Sequence, residues 1–199
     1  MKHIVINIGR QFGSGGLAVA KELGKKLGID VYDSELITKA AQDSGFSADL
    51  FREKDEKRRK FSLKSIFTGP LGKDYMSESE LFNMQGETIR KIASQGSAII
   101  VGRCADYILR DMDCTLNVFL TAPVEARVER ICNRMGVSPD EARELIEEKD
   151  AGRQEYYNFY TFGAWGVAST YDLCLDSSIL GIEGTADFII SFAGKAGLL

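Results

Sequence analysis

Short apolar runs alternate with helix-forming segments along most of the chain, and this alternation is the strongest constraint on its fold. The predicted strands are residues 3–8, 31–32, 97–101, 116–120 and 171–175. Strands that are separated by helices pair in parallel and form one sheet with helices on both faces. The run SAIIV at 97–101 is apolar over most of its length, as a central strand of such a sheet is. The sequence therefore predicts an α/β fold of three layers around a central parallel sheet.

The segments between these runs carry helix signals at their ends. Helices are predicted over 15–27, 35–43, 78–95, 123–135, from Ser138 onward, and over about 180–193. Gly28 and Gly96 follow two of them, as glycine commonly does at a helix C-terminus. Ser138 and Glu141 have the spacing of a capping box. The charged stretch 49–77 has weak periodicity and is predicted to form a surface segment instead of core.

Composition narrows the possible function classes. The chain has 199 residues, of which 44% are hydrophobic and 27% charged, and its net charge is −4; this is the balance of a soluble globular protein. An acidic chain is not expected to bind nucleic acid as a whole, and no apolar run approaches the roughly 20 residues that span a bilayer. The single histidine, His3, argues against a histidine-based triad or zinc site. We expect a cytoplasmic protein that is a monomer or a homodimer.

Polar residues follow four of the predicted strands directly. The loop GRQFGSGG, residues 9–16, follows the first strand, and 33–34, 102–103 and 176–178 follow three others. In parallel α/β sheets, ligands bind beyond the carboxyl ends of the strands. A glycine-rich loop at this edge presents several backbone N–H groups and leads into the positive end of a helix. The pattern predicts an anion site, and the alternative is a tight turn that binds nothing.

Taken in order, these segments resemble the cytidylate kinase-like family of P-loop nucleoside monophosphate kinases. Such kinases carry a loop of the form GPSGAGKGT after their first strand, and INIGRQFGSGGLAVAKELGKKLGIDVYDSEL follows the same plan. The segment VGRC at 101–104 resembles their DGRD, DAGR at 150–153 their Asp-x-x-Arg lid motif, and CLDSS at 174–178 their closing VLDST. The resemblance covers nearly the whole chain, and RQFGSGG is similar to a branch distinct from the true cytidylate kinases.

This resemblance implies a single P-loop kinase-like domain over 1–199. A helical segment at 34–95 would bind the nucleoside monophosphate, and a segment at 136–170 would form a lid. The implied ligands are small nucleotides, with ATP or another nucleoside triphosphate bound together with Mg²⁺. The residues implied to bind the triphosphate are Gly13, Ser14, Gly15, Gly16 and Leu17. The residues implied to bind the acceptor are Asp33, Ser34, Lys39, Arg103, Asp150 and Arg153.

The chain departs from the family pattern where the loop should end. With GSGG aligned on GAGK, Gly16 occupies the position of the phosphate-binding lysine. Leu17 and Ala18 follow it without the hydroxyl group that helps to hold Mg²⁺. Another cation must then meet the charge of the phosphates. Arg10, which begins the loop, is the better candidate, and Lys21 in the following helix is the second.

Two functions remain open from the sequence. The first is a kinase that moves the γ-phosphoryl group of ATP to a nucleoside monophosphate such as CMP or to a similar small acceptor. Arg10, Arg103 and Arg153 are its candidate catalytic cations, because phosphoryl transfer requires fixed positive charge around the transferring group. The second is a nucleotide-binding or sensing module with a degenerate loop. The missing lysine favours the module, whereas Arg103 and the lid-like segment favour the kinase.

Several of the charged residues also have a purely structural interpretation. Arg127 and Arg130 lie near glutamates on one predicted helix, and surface ion pairing is the favoured interpretation of both. Asp150 and Arg153 are three residues apart and can pair with each other. Asp176 can cap the last helix. The sequence identifies no metal ligands.

Overall fold

A computed structural model describes residues 2–33 and 78–199 of the chain. Within these ranges the strands are β1 (Val5–Arg10), β2 (Asp30–Tyr32), β3 (Ala98–Val101), β4 (Thr115–Thr121) and β5 (Leu173–Asp176). The helices are α1 (Gly16–Leu27), α2 (Glu78–Gln95), α3 (Ala105–Ile108), α4 (Val124–Met135), α5 (Pro139–Thr161) and α6 (Ser177–Lys195). The predicted helix at 35–43, the stretch 49–77, Ser34 and Lys39 lie outside the described residues.

All five strands are parallel and lie in the order β2-β3-β1-β4-β5. The first strand of the sequence is therefore the central strand of the sheet, with Val5 aligned to both Ala98 and Thr115. Its β-branched residues suit this position because they pack well on a pleated surface that is covered on both faces. The predicted α/β fold with a central parallel sheet is confirmed, and the carboxyl ends of all strands meet at one edge.

The two faces of the sheet bury different residues of β1, because side chains alternate along a strand. Ile6 and Ile8, together with Ile4 directly before the strand, belong to the core under α1 and α6. Val5 belongs to the core under α2, α3 and the C-terminal half of α5, where Tyr157 is packed. Full burial of each such aliphatic side chain contributes about 1.5–3 kcal/mol. Helices therefore cover the sheet on both faces and leave the carboxyl edge of its strands for a ligand.

The ends of the later helices follow the predicted caps. Ser138 and Glu141 form the predicted capping box. Asp176 caps α6 by accepting a hydrogen bond from the Ser178 N–H at 2.8 Å. The regular part of α6 lies beyond a break at Gly181 (φ 67°), which agrees with the predicted start near 180. Of the helices in 2–33 and 78–199, none has the length and apolar character needed to cross a membrane.

Candidate functional site

Residues 11–15 form a tight loop between β1 and α1, whereas Gly9 and Arg10, which were predicted to begin the loop, are the last two residues of β1, and Gly16 is the first residue of α1. Gly13 (φ 80°) and Gly15 (φ 82°) adopt left-handed backbone conformations, which residues with a side chain rarely adopt. A Cβ atom on Gly15 would also lie 2.6 Å from Cδ1 of Ile182. No side chain in the described part of the chain caps α1, whose N-cap is Gly15. The first N–H groups of α1 are therefore not used by a cap, as at anion-binding helix N-termini.

The side chain of Arg10 runs from the end of β1 to the end of β3. A Cβ atom on Gly16 would lie 2.7 Å from both Cβ and Cγ of Arg10. A Cβ atom on Gly102 would overlap the Arg10 guanidinium group. The guanidinium Nη2 lies 3.7 Å from Oδ1 of Asp33, at the end of β2. Because Gly16 and Gly102 have no side chains, the Arg10 side chain has room to extend from the end of β1 past the end of β3 to the end of β2.

The electrostatic environment of this arginine favours an anion. Burial lowers the pKa of the Arg10 guanidinium, the charge of Asp33 opposes this, and the charge of Arg103 lowers it further. Burial also lowers the pKa of Arg153, with the charge of Arg10 as the next cause, against the carboxylates of Asp150 and Asp33. Because neighbouring cations and burial both disfavour the charged form, an anion bound between Arg10 and Arg153 would relieve the repulsion.

Helix α5 is fixed to the loop by two side chains. The Asp150 carboxylate accepts a hydrogen bond from the Phe12 N–H at 2.6 Å and pairs with Nη1 of Arg127 at 2.6 Å. One turn later, Arg153 donates from Nη1 to the carbonyl oxygen of Arg10 at 2.9 Å. The interpretation that Asp150 and Arg153 pair with each other is therefore wrong. Each of them instead contacts the backbone of the loop.

The opposite side of the loop is held by α4 and α6. Arg130 donates to the hydroxyl of Ser177 at 3.0 Å and to the carbonyl of Gly13 at 3.4 Å. The Ser177 hydroxyl in turn donates to the carbonyl of Ser14. Arg127 is only 8% exposed and pairs with an aspartate of another helix. The favoured interpretation of Arg127 and Arg130 as surface residues paired with nearby glutamates is wrong, because both hold the loop.

A cavity of about 670 Å³ opens beyond the carboxyl ends of the strands, within the range of small-molecule sites. The described cations that line it are Arg10, Arg103, Arg134, Lys149 and Arg153, and the carboxylates are Asp33, Asp106 and Glu148. Its aromatic lining consists of Phe12, Tyr156, Tyr157, Trp165 and Tyr171. The guanidinium groups of Arg134 and Arg153 both lie over the ring of Phe12, at 5.3 and 5.5 Å from its centre. The cavity can therefore take an anionic ligand that has an organic part.

The structure brings some of the predicted site residues together at this cavity. Arg10, Asp33, Arg103 and Arg153 line it, whereas residues 13–17 lie outside its lining. Among the lining residues, Arg103 has an unusual left-handed backbone conformation (φ 58°), a strain that is found mostly at functional sites. These four residues come from the last position of β1, from directly after β2, from the turn after β3, and from α5. The expectation that polar strand ends converge on one site is thus met for three strands.

Sequence reasoning missed the inner end of the cavity. The residues that line this end are Asn7, Asp106, Tyr157 and Tyr171, and none of them directly follows the carboxyl end of a predicted strand. The signal that could have found Asn7 is a single polar residue inside the apolar run HIVINI. Asp106 lies in α3, which is too short for periodicity to reveal.

The residues around the loop do not fit a Mg²⁺ ion held by the loop itself. Leu17 and Ala18 offer no side-chain oxygen. The hydroxyl of Ser14 is buried and donates to the carbonyl of Gln11 at 2.9 Å. In residues 2–33 and 78–199, histidine, cysteine and acidic side chains form no group of three or more that could hold a metal ion.

A five-stranded parallel sheet, a glycine loop that leads into α1 and a cationic crevice at the strand ends together define a protein of the P-loop kinase type. Residues 5–179 match the cytidylate kinase-like family, and the chain belongs to that family. The resemblance seen in the sequence is thereby confirmed.

Known proteins with similar sequences are about equally long. A cytidylate kinase of Methanopyrus kandleri is 28% identical over 188 residues, which cover 88% of this chain and 85% of that protein. A cytidylate kinase of Pyrococcus horikoshii is 27% identical over 183 residues, or 91% and 83% of the two chains.

Two solved structures have the same architecture. An uncharacterized protein from Eubacterium ventriosum superposes with a TM-score of 0.72 at 29% identity, over 95% of this chain and 97% of that one. A shikimate kinase from Bacteroides thetaiotaomicron superposes with a TM-score of 0.57 at 14% identity, over 96% and 98%. At that identity the second likeness shows the fold alone.

Proposed function

We propose that the protein is an ATP-dependent phosphotransferase whose acceptor is a nucleoside monophosphate, such as CMP, or a similar small acceptor. The observation that carries the proposal is the course of Arg10, which packs on Gly16 and reaches Gly102 and Asp33. We infer that this cation, at the last position of β1, serves the phosphates in place of a lysine at position 16. Membership of the cytidylate kinase-like family supports the same activity.

The chemistry of phosphoryl transfer suits the residues at the cavity. The reaction needs no covalent participation of the protein. It needs positive charge around the phosphoryl group, correct positioning of the substrates and exclusion of water. Arg10, Arg103 and Arg153 line one cavity, and the planar guanidinium group of each can bind two phosphate oxygens. We assign these three arginines to the transferring phosphoryl group as catalytic residues. Their mutual repulsion in the free protein becomes attraction to the phosphates in the complex.

The remaining residues divide between the two substrates. The backbone of residues 13–17 and the N-terminus of α1 would bind the triphosphate. The acceptor would be bound by Asp33, Ser34 and Lys39, with 34–95 as its binding segment. The lid would be 136–170, whose long helix carries Asp150 and Arg153; Asp150 serves this site as a positioning residue through its contact with the loop.

The donor would be ATP with Mg²⁺, and no described side chain is assigned to the metal because the loop residues do not fit it. We place the reaction in the cytoplasm, on small nucleotides, with the protein as a monomer or a homodimer. Membership of the family and the cations that line the cavity support the nucleotide ligand.

A nucleotide-binding module without catalysis is the second candidate. Leu17 and Ala18 favour it, because they leave the loop without the hydroxyl that kinases of this type use for Mg²⁺. The contact between Asp150 and the Phe12 N–H also favours it, since it fixes α5 to the loop without any ligand. A module of this kind would bind nucleotide and not turn it over.

A coupled assay of ATP consumption with CMP, UMP, AMP, GMP and simple alcohols tests the proposal, together with thermal-shift measurements on the same compounds. Turnover with at least one nucleoside monophosphate is the expected result, and Arg103→Ala should lower kcat by orders of magnitude. A thermal shift without turnover would support the binding module. If the protein shows no thermal shift and no turnover with any of these compounds, both functions are excluded.

A further inference from the structure

The inner end of the cavity contains a polar residue in the centre of the sheet. Asn7 lies in the middle of β1 and is 2% exposed. Its Nδ2 donates to Oδ1 of Asn117 on the neighbouring strand at 2.8 Å. Its own Oδ1 is buried and has no hydrogen-bond partner among the described residues. A buried acceptor without a partner costs about 1–3 kcal/mol, so a group that donates to it from the cavity would be stabilising.

A carboxylate lies at the same end. Asp106 accepts a hydrogen bond at 2.6 Å from the hydroxyl of Tyr157, and burial raises the pKa of both groups. Tyr171 lies over β1 on the face that Asn7 shares, since a Cβ atom on Gly9 would be 3.3 Å from its ring. All four polar residues line the one cavity.

The two ends of the cavity therefore differ in chemistry. The outer end presents guanidinium groups, which donate hydrogen bonds and attract phosphate. The inner end presents acceptor oxygens, the amide oxygen of Asn7 and the carboxylate of Asp106. A complementary ligand carries phosphate at one end and a hydrogen-bond donor, an amino or hydroxyl group, at the other.

We propose that Asn7 and Asp106 are specificity-determining residues that bind a hydrogen-bond donor on the non-phosphate part of the acceptor. This inference rests on the proposed function. In CMP, that donor is either the exocyclic amino group of the base or a ribose hydroxyl. An acceptor with a carbonyl oxygen or no polar group at that point would leave the buried amide oxygen of Asn7 unpaired and would place no donor against the Asp106 carboxylate, a mismatch that a site of this kind discriminates against strongly.

Calorimetric titration of the full-length protein with CMP, UMP and dCMP tests the inference and separates the two sources. The wild type should bind CMP roughly 5- to 100-fold more tightly than one of the other two. UMP replaces the amino group by a carbonyl, and dCMP lacks the 2′-hydroxyl. Asp106→Asn keeps the shape of the side chain, replaces one acceptor oxygen by a donor and should reduce the preference at least about 5-fold. Asp113→Asn, at an exposed carboxylate outside the cavity lining, is the matched control.

Asn7→Leu provides an independent test should Asp106→Asn fail to fold, and it should lower the same preference. Nucleotide binding by the wild type with preferences that neither variant changes would overturn this inference alone. Failure of the wild type to bind any of the three nucleotides would overturn the proposed function, and the inference with it.

Discussion

The side chain of Arg10 packs against the backbone of Gly16, so closely that a Cβ atom on Gly16 would lie 2.7 Å from the Cβ and Cγ atoms of Arg10. In the sequence, Gly16 is the position at which the family pattern has its phosphate-binding lysine. Position 16 has no side chain, and the Arg10 side chain occupies the space that one would need. The two residues are therefore structurally dependent on each other. Under the proposed function, Arg10 supplies the positive charge that a lysine at position 16 would supply.

Gly16→Ala should destabilise the protein by about 1–3 kcal/mol, the usual cost of overpacking. The atoms that a new methyl group would meet are the first two carbons of the Arg10 side chain, which cannot swing away as the end of a long side chain can. The measurement is the free energy of unfolding in urea. Gly194→Ala is the matched control, because nothing lies within 4 Å of a Cβ atom at that helical position.

The control should be neutral or more stable by about 0.5–1 kcal/mol, as expected for glycine to alanine inside a helix. If both variants unfold with the same free energy, the close packing of Arg10 on Gly16 is contradicted.

Asp150→Ala should cost about 3–5 kcal/mol of stability, because it leaves the buried Arg127 guanidinium without its carboxylate. The Phe12 N–H loses its acceptor in the same variant. Glu147→Ala, at an exposed site on the same helix, should change stability by less than about 0.5 kcal/mol. Thermal unfolding of both variants checks this, and an equal effect at the two positions would refute the proposed role of Asp150.

Arg153→Ala should weaken ATP binding while changing the free energy of unfolding by less than about 1 kcal/mol. In the free protein, burial and the charge of Arg10 both disfavour the charged form of Arg153, because both lower its pKa. The variant loses the hydrogen bond from Arg153 to the Arg10 carbonyl. It also loses the repulsion between the two guanidinium groups, and the two effects on stability oppose each other. Calorimetry with ATP and a urea titration are the two measurements. A variant that loses several kcal/mol of stability and retains ATP affinity would show a structural residue instead.

The thiol of Cys104 should make stability fall at alkaline pH. Burial raises its pKa from 9.0 to about 12, so the folded state favours the protonated thiol. This contribution is fully present below pH 9, is lost as pH rises towards 12, and amounts to about 4 kcal/mol at most. Unfolding free energies of the wild type and Cys104→Ala between pH 8 and 12 provide the measurement, and the variant should show the flatter profile. Parallel profiles would contradict the assignment.

The fold could be predicted from the sequence because it rests on local patterns. Apolar β-branched runs identify strands, and caps such as Ser138 with Glu141 identify helix ends. The ordered motifs identified the family. Contacts between residues that are distant in the sequence leave no such local pattern.

The network around the loop shows why the site was harder to predict. Arg127 pairs with Asp150, which is 23 residues away, whereas local rules favour a glutamate on the same helix. The missed signal was its spacing with Val124, Val128 and Ile131, which places Arg127 on the apolar face of α4. The role of Asn7 depends on which strands flank β1, and sheet order cannot be read from strand patterns alone.

Calorimetric titration of ATP into the wild type and Arg10→Ala tests the central claim most directly. Loss of a charged hydrogen bond to phosphate should weaken binding by ~1.5–3 kcal/mol, or roughly 10- to 150-fold. Lys21→Ala, at an exposed position on α1, serves as the control and should bind ATP as the wild type does. An Arg10→Ala variant with wild-type affinity for ATP would contradict the account.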